Sequence, residues 1–469
     1  MDAAIRHRGD AYVYFGNLVK ELEFLLGYEE KMYLCRNVDL LDMNKGFMIA
    51  APTSGAGKTT IAVGLMALLT KNRYKVQPFK CGPDYIDTMF HGLVCGRPSV
   101  NLDLFMASGE HVRELYRHYS ADADITVVEG MMGMYDGYER HKGSPADIAI
   151  NLGLPVVLVV DASHTGYSIA PLLYGFKHFS EEVNVIGVIY NKVKSERHKQ
   201  LLREACDNVG LECFGFIPKR NEAVNGERYL GLDFSSKVDV SVLADMVDDN
   251  VDWRGIIKRC ESVDMAIDNI EDSVGSEKIL VARNAESFSF LYQEHIDILK
   301  SMGSVEYFDP EQNREIPQDT TLLYLPGGYP EKHLDSLQRA ERCRISIKEY
   351  AERGGRIIAE CGGMMYLCES ILSDDSESKM CGVLPYKITA KKADRKLSLG
   401  YRRVVMDGKE WRGHEFHYTQ FVDPKPSSSA LVYDARGNIV DSPVIRQGNV
   451  VASYTHLYWG KEKNDLFIW

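Results

Sequence analysis

Three groups of residues in this chain could do chemistry, and the first is a loop suited to phosphate. GFMIAAPTSGAGKTT runs from Gly46 to Thr60 and is followed by the amphipathic run IAVGLMALL. A strand, a small-residue loop and a helix in that order turn backbone N–H groups and a helix N-terminus toward an anion. Ser54, Gly55 and Gly57 let the backbone close on phosphates, Lys58 neutralises their oxygens, and Thr59 and Thr60 open the helix, with the Thr59 hydroxyl suited to Mg²⁺. Pro52 or Ala51 stands where the strict eight-residue pattern has its first glycine, and the plain alternative is a surface turn rich in Gly and Lys.

The second group is a row of polar residues placed just after apolar runs. Lys80-Cys81-Gly82-Pro83-Asp84-Tyr85-Ile86-Asp87 follows KVQPF, EGMMGMYDG with Glu129 and Asp136 follows ITVV, Asp161 follows VVLVV, and Asn191 follows VIGVIY. Carboxylates on the rim that carries a phosphate loop are the expected partners of Mg²⁺ and its waters. Thr59, Glu129 and Asp84 are the expected metal set, and Tyr85 and Asp87 are assigned to substrate. Asp136, seven positions after Glu129, is read as a catalytic group that orders metal-bound water or places a substrate carboxylate. The alternative is that Asp84 and Asp87 cap a helix while Glu129 and Asp136 order a loop.

The third group surrounds a thiol. RIIAECGGMMY, Arg356 to Tyr366, passes from a β run through Glu-Cys-Gly-Gly into a helical run. That places Cys361 at a sharp strand-to-helix turn, where the following helix lowers the thiol pKa and Gly362 presents an N–H to an oxyanion. Gly327 and Gly328 in LPGGYPE offer a further oxyanion donor, and His456, at the end of VVASYTH, offers a base. His414 and His417 in RGHEFHY compete with His456, and the ordinary alternative for Cys361 is a small buried core residue.

Short Val/Ile-rich runs must position these groups: FMIAA, KVQPFK, ITVVEG, PVVLVVDA, VNVIGVIYNK and ECFGFIP alternate with helical patterns. Such runs belong to strands buried on both faces of a parallel sheet, whose ligands sit beyond the strand carboxyl ends. The fold expected is α/β with two domains, a phosphate-loop parallel-sheet domain over 44–238 and a second α/β domain over 278–469. Residues 1–43 are an extension of uncertain status, and 239–277, charged and low in pattern, read as a peripheral helix plus linker.

Composition fits this reading. The 469 residues exceed one core, and 45% hydrophobic with 26% charged residues describe a globular protein. A formal net charge of -12 argues against nucleic acid as the main partner. Ten cysteines occur without a C-x-x-C pair, so neither a zinc site nor a disulfide framework is expected. No run approaches a membrane span and no signal peptide is visible, so a cytoplasmic enzyme without a membrane partner is expected.

In combination, the phosphate loop, FKCGPDYID, Asn101-Leu102-Asp103, EGMMGMYDG, ARNAESFSF, LPGGYPE, AECGGMMYL, RGHEFHYT and ASYTHLYWG resemble the cobyrinate a,c-diamide synthase family. The resemblance spans Gly46 to Trp459, and the first half also resembles dethiobiotin synthetase, whose phosphate loop shares the displaced glycine. It implies a synthetase domain followed by a class I-like glutamine amidotransferase domain. It further implies ATP and Mg²⁺ as cofactors, and glutamine and a tetrapyrrole carboxylate as substrates, with a homodimer allowed for. In the implied mechanism ATP converts the a and c side-chain carboxylates to acyl phosphates, and Cys361, activated by His456, releases ammonia from glutamine. The family's relatives read adenine at the position of Asn191.

Departures from the pattern accompany the resemblance. His456 is followed by Leu457 and Tyr458, so the His-x-Glu acid of class I amidotransferases is missing and a Cys-His dyad is implied. Arg228-Tyr229-Leu230-Gly231-Leu232 lacks the histidine of the family's Arg-His-Leu-Gly-Leu segment. Ni-sirohydrochlorin a,c-diamide synthase is the nearest alternative, and cobyric acid synthase fits less well because it carries Gln-Asn where this chain has Gly82-Pro83-Asp84-Tyr85. From another class, a phosphate-loop switch or partitioning ATPase would need neither Cys361 nor His456.

Overall fold

The apolar runs of the first half pair into a seven-stranded parallel sheet with strand order β3-β2-β4-β1-β5-β6-β7. A computed structural model describes residues 45–219, 240–260 and 275–460. The extension 1–43 and the segment Arg228 to Leu232 lie outside the described residues. The strands and helices are β1 (Lys45–Ala50), α1 (Lys58–Lys71), β2 (Val76–Cys81), α2 (Ile86–Cys95), β3 (Val100–Leu102), α3 (Gly109–Ser120), β4 (Ile125–Glu129) and α4 (Pro145–Leu152). They continue with β5 (Val156–Asp161), α5 (Ile169–His178), β6 (Val185–Val193), α6 (Glu196–Val209) and β7 (Glu212–Pro218). Central β1 lies between β4 and β5, with Met48 opposite Val128 and Val156, and all six of its residues are buried. Helices cover both faces, which is why these strands carry no alternation of polar residues.

Two helices from the span expected to be linker, α7 (Val240–Asn250) and α8 (Trp253–Lys258), belong to the first core through Leu243, Val247, Trp253 and Ile256. Gly64 makes the contact with α1 possible, since a Cβ there would meet Val247 Cγ2 at 2.7 Å and the Leu243 carbonyl at 2.9 Å. The first core therefore reaches past residue 238, because an apolar helix face needs a partner surface.

The second half holds β8 (Glu277–Ala282), α9 (Gln293–Met302), β9 (Gly303–Phe308), β10 (Leu322–Leu325), α10 (Leu334–Arg339), α11 (Glu341–Glu352), β11 (Arg356–Glu360) and α12 (Gly362–Leu367). Its main sheet has the order β19-β20-β11-β10-β8-β9, with β19 (Val444–Gln447) antiparallel at the edge against β20 (Val450–Ser453). Strands β12 (Ser370–Leu372), β13 (Glu377–Lys379), β14 (Lys387–Thr389) and β17 (Gln420–Phe421) form one small sheet. A second joins β15 (Ser398–Met406), β16 (Lys409–His417), β18 (Leu431–Asp434) and β21 (His456–Tyr458), and pairs His414 with His456.

The two halves dock through an aromatic cluster of Tyr85, Phe105 and Met106 with Phe290, Tyr292 and Tyr458. Polar contacts ring it: His111 Nε2 to Glu294 Oε1 at 2.6 Å, Tyr401 Oη to Asp103 Oδ2 at 2.6 Å, and Arg412 Nη1 to the Phe105 carbonyl at 2.9 Å. Stacked and tilted rings at these spacings contribute about 0.5–1.5 kcal/mol per pair beyond area burial.

Candidate active sites

The phosphate loop leaves β1 and turns on two glycines with left-handed backbone, Gly55 at φ 75° and Gly57 at φ 96°. Gly57 caps α1 and has no room for a side chain, because a Cβ would meet Asn191 Nδ2 at 2.2 Å. Asn191 donates from Nδ2 to the Ala56 carbonyl at 2.9 Å, so it braces the loop that it was expected to serve as an adenine reader. Ser54 and Gly55 are exposed, and Thr59 and Thr60 half-buried, at the mouth of the loop.

Lys58 is buried and donates to the carbonyl of Met132, a residue held at φ 53° in the EGMMGMYDG loop. Burial, and then the charge of Lys80, lower its pKa, while Glu129, Asp87 and Asp136 oppose them. The loop is fixed to the phosphate loop by Met134 N–H donating to the Ala51 carbonyl at 2.8 Å. Asp136 is exposed and accepts from Gly133 N–H at 3.0 Å, which is the loop-ordering contact of the plain alternative.

Around Thr59 the structure gathers Glu129 and Asp87. Thr59 Oγ1 lies 2.5 Å from Glu129 Oε1 and 3.2 Å from Asp87 Oδ2. Asp84 instead caps α2, accepting from Ile86 N–H at 2.9 Å and Asp87 N–H at 3.0 Å. The reason is helical geometry: Asp84 precedes the first turn and satisfies its free N–H groups, while Asp87 is inside that turn and points at the rim.

Two basic residues at this rim went unassigned in the sequence. Lys80 Nζ is 2.6 Å from Asp87 Oδ2, 3.2 Å from Glu129 Oε1 and 4.0 Å from Asp84 Oδ2. Burial would lower its pKa, but the three carboxylates outweigh that and raise it well above the ordinary value. His91 Nε2 is 2.7 Å from Glu129 Oε2. Against its burial, Lys80, His91 and Thr59 hold the Glu129 pKa down, whereas burial pushes that of Asp87 up despite Lys80. Lys80 was visible at the end of its strand, and the four-residue step from Asp87 to His91 marks one helix face.

Among the described residues, no group of three or more His, Cys, Asp or Glu side chains is arranged to hold a metal. The donors present are oxygens of Thr59, Asp87 and Glu129, a hard set that fits Mg²⁺ when phosphate and water complete the shell.

In the second domain, β11 ends at Glu360 and the chain turns at Cys361 with φ 47° and ψ -107° before α12 begins. A non-glycine residue at positive φ is held by its surroundings, and Cys361 N–H donates to the Ser453 carbonyl of β20 at 2.7 Å. Gly362 admits the LPGGYPE loop, since a Cβ would meet Gly328 O at 2.9 Å and Pro330 Cδ at 2.7 Å. A Cβ on Gly327 would lie 2.2 Å from His456 Cε1, so this glycine is where the imidazole rests.

The thiol pKa departs from expectation. Burial, and then the charge of Glu331, push it up, and the N–H of Gly362 only partly opposes them. Desolvation of a thiolate outweighs the few aligned peptides of a six-residue helix.

The three histidines separate by their partners. His417 is tied at both nitrogens, Nδ1 to the Thr419 carbonyl at 2.8 Å and Nε2 to Glu415 at 2.9 Å. Burial, then His456, bring the His414 pKa down to about 3, which leaves a weak base. His456 is buried, and among the described residues neither of its ring nitrogens has a hydrogen-bond partner. Glu360 Oε2 lies 3.8 Å from His456 Nδ1.

Tyr85 joins the two sites. Its ring stacks on Phe290 at 5.0 Å and tilts against His456 at 5.2 Å, while Asp87, two residues on, reaches Thr59. Tyr85 is buried in the docking cluster.

Comparison with known proteins gives two family matches, a CobQ/CobB/MinD/ParA nucleotide binding domain over residues 47–228 and a CobB/CobQ-like glutamine amidotransferase domain over 278–464. A cobyrinate a,c-diamide synthase of Caldanaerobacter subterraneus is 37% identical, covering 91% of this chain and 98% of the relative. A hydrogenobyrinate a,c-diamide synthase of Streptomyces coelicolor is 36% identical over 88% of this chain and 94% of its own. A cobyrinate a,c-diamide synthase of Saccharolobus solfataricus is 33% identical over 88% and 98%.

Proposed function

This chain belongs to the family of cobyrinate and hydrogenobyrinate a,c-diamide synthases, and on that premise we propose that it amidates the a and c side-chain carboxylates of a cobyrinate-type macrocycle. Glutamine supplies the nitrogen and ATP the driving force. What carries the reading is the pairing of a phosphate loop and a thiol elbow in one chain whose relatives match it nearly end to end.

A carboxylate resists ammonia, so it is first made an acyl phosphate by transfer of the terminal phosphoryl group. Lys58 and Lys80 neutralise the oxygens of that group, and Gly55 and Gly57 turn backbone N–H groups onto the phosphates. Mg²⁺ held by Thr59, Asp87 and Glu129 would spread the charge that develops on the phosphoryl oxygens. Lys80 neutralises Asp87 and Glu129, the carboxylates that such an ion would meet.

In the second domain the Cys361 proton moves to His456 as Sγ attacks the side-chain amide carbon of glutamine. The C–N bond breaks, the nitrogen takes the proton from His456, and ammonia leaves a glutamyl thioester. Water then cleaves the thioester, giving glutamate and the thiol. The N–H groups of Gly328 and Gly362 face the oxyanion of each addition. Ammonia passes the Tyr85 boundary and displaces phosphate from the acyl phosphate.

The test is incubation with cobyrinate, hydrogenobyrinate or Ni-sirohydrochlorin, plus ATP, Mg²⁺ and either glutamine or ammonium, with mass analysis for added amides. Cys361→Ser is expected to lose glutamine-dependent synthesis and keep ammonium-dependent synthesis. Glutamine-supported turnover in that variant rejects the role of Cys361, and no amide on any of the macrocycles rejects the proposal.

A further inference from the structure

The His-x-Glu acid is missing after His456, yet the histidine faces a carboxylate. Glu360 is the residue immediately before the nucleophile, at the end of β11, and is buried at 3% exposure. Its Oε2 lies 3.8 Å from His456 Nδ1, while Oε1 accepts from Leu457 N–H at 3.1 Å, the peptide just after the histidine. Tyr324 Oη donates to Oε2 at 2.9 Å and fixes the carboxyl in place. One side chain thus contacts both the imidazole and the backbone that carries it.

We infer that Glu360 replaces the missing acid as a positioning residue, holding a proton on His456 Nδ1 and leaving Nε2 for the Cys361 thiol. This rests on the glutaminase reading above. A buried imidazole with two free nitrogens has no defined tautomer, and a carboxylate on one side selects the form whose other nitrogen accepts a proton. The other titratable groups facing the ring do not compete for the role. His414, paired across from His456 on β16, is neutral by burial, as is His295 of α9, whose charge His456 further disfavours. Tyr85, from the first domain, is kept protonated, chiefly by burial. Among the described residues Glu360 is the one carboxylate within 4 Å of the ring.

The arrangement differs from a hydrogen-bonded triad in a way that can be measured. At 3.8 Å the acid acts through charge and orientation until the ring or carboxyl shifts toward contact, as catalytic hydrogen bonds do when substrate binds. It also lies one residue from the nucleophile, so any change in the β11 register moves acid and thiol together.

The test compares wild type, Glu360→Gln and Tyr324→Phe in the full chain, following glutamate release across pH. Glu360→Gln is expected to lower kcat for glutamine hydrolysis about 10²-fold, less than the ~10⁴ lost with a hydrogen-bonded triad acid, with KM for glutamine little changed. Its acidic limb in kcat/KM is expected to move about one pH unit lower, because the imidazolium loses its counter-charge. Tyr324→Phe, which frees the oxygen nearest His456, is expected to move the same limb upward. Ammonium-dependent amidation, which bypasses the thiol, reports whether each variant is folded. Unmoved limbs in both variants, or equal losses with glutamine and ammonium, overturn the inference while leaving the glutaminase reading intact. A wild type that releases no glutamate overturns both. If Glu360→Gln does not accumulate as folded protein, the direction of the Tyr324→Phe shift decides.

Discussion

The phosphate rim and the thiol pocket both lie at the carboxyl ends of parallel strands, yet they manage charge in opposite ways. At the rim Lys80, Asp87 and Glu129 form a dense ionic web, with His91 hydrogen-bonded to Glu129 and Lys58 within the field of the same carboxylates. In the pocket burial pushes the Cys361 thiol pKa up, and among the described residues both ring nitrogens of His456 and Nδ1 of His414 lack a hydrogen-bond partner. The difference follows from what each must bind. A polyphosphate brings several negative charges, so its site has cations already in place. Under the proposed function the second site would take a glutamine amide, which is neutral and needs no counter-charge in place. The comparison teaches that one strand-end geometry serves a charged rim in one domain and an apolar, buried pocket in the other.

The largest effect expected at the rim is from Lys58→Ala. Synthesis should fall on the order of 10³-fold with both glutamine and ammonium, because the transferring phosphoryl group loses its main counter-charge. Basal glutamate release should persist. Ammonium-dependent rates near wild type would end the ionic reading of the rim.

Next in size is a pair that separates the two aspartates. Asp87→Asn should raise the Mg²⁺ concentration for half-maximal synthesis by about 10–100-fold. Asp84→Asn should change it far less and act mainly through the cap of α2, whose loss costs about 1 kcal/mol. Mg²⁺ titrations of both variants settle the order, and an equal shift in both would place Asp84 beside Asp87 at the ion.

Asp136→Asn tests whether the rim extends to an exposed carboxylate. Asn keeps an oxygen for Gly133 N–H, so the substitution removes charge and spares the turn. A rate loss on the order of tenfold, about 1.4 kcal/mol of barrier, is expected, with more monoamide relative to diamide. An unchanged rate and product ratio would leave Asp136 with its turn alone.

The smallest effect concerns the boundary between the two regions. The His111–Glu294 contact has a raised His111 pKa, because Glu294 outweighs the burial that lowers it. Its stabilisation is therefore full below the ordinary His pKa of about 6.5 and is lost as pH rises through the raised folded value. The melting-temperature difference between wild type and Glu294→Gln, worth about 1 kcal/mol, should shrink with rising pH over that window. A difference that grows instead would reverse the sign of the linkage.

Much of the α/β architecture was legible because its strands are buried on both faces and so appear as unbroken Val and Ile runs. The strand-end rule singled out Glu129 and Cys361, and the phosphate-loop pattern singled out Thr59, because both rules read local sequence. Asp84 against Asp87 was not legible, since both lie within one turn of the start of α2 and only its exact start separates cap from rim. Lys80 stood in plain view at a strand end, but nothing in one sequence says that its ammonium meets Asp87 of α2, Glu129 of β4 and Asp84 of the loop before α2. The thiol pKa was misjudged because a helix start is visible in a sequence, whereas the burial that opposes it is a property of the packed domain.

By itself the sequence determined the two α/β halves, the phosphate loop and the Cys361 elbow, because local patterns of glycine, apolar run and helix carry them. Only the tertiary structure decided which groups meet. It set Glu360 against His456, Tyr85 between the two sites, and α7 on the first core. Those contacts join residues far apart in the chain or on different faces of one turn, and the packing that brings them together has no local signature.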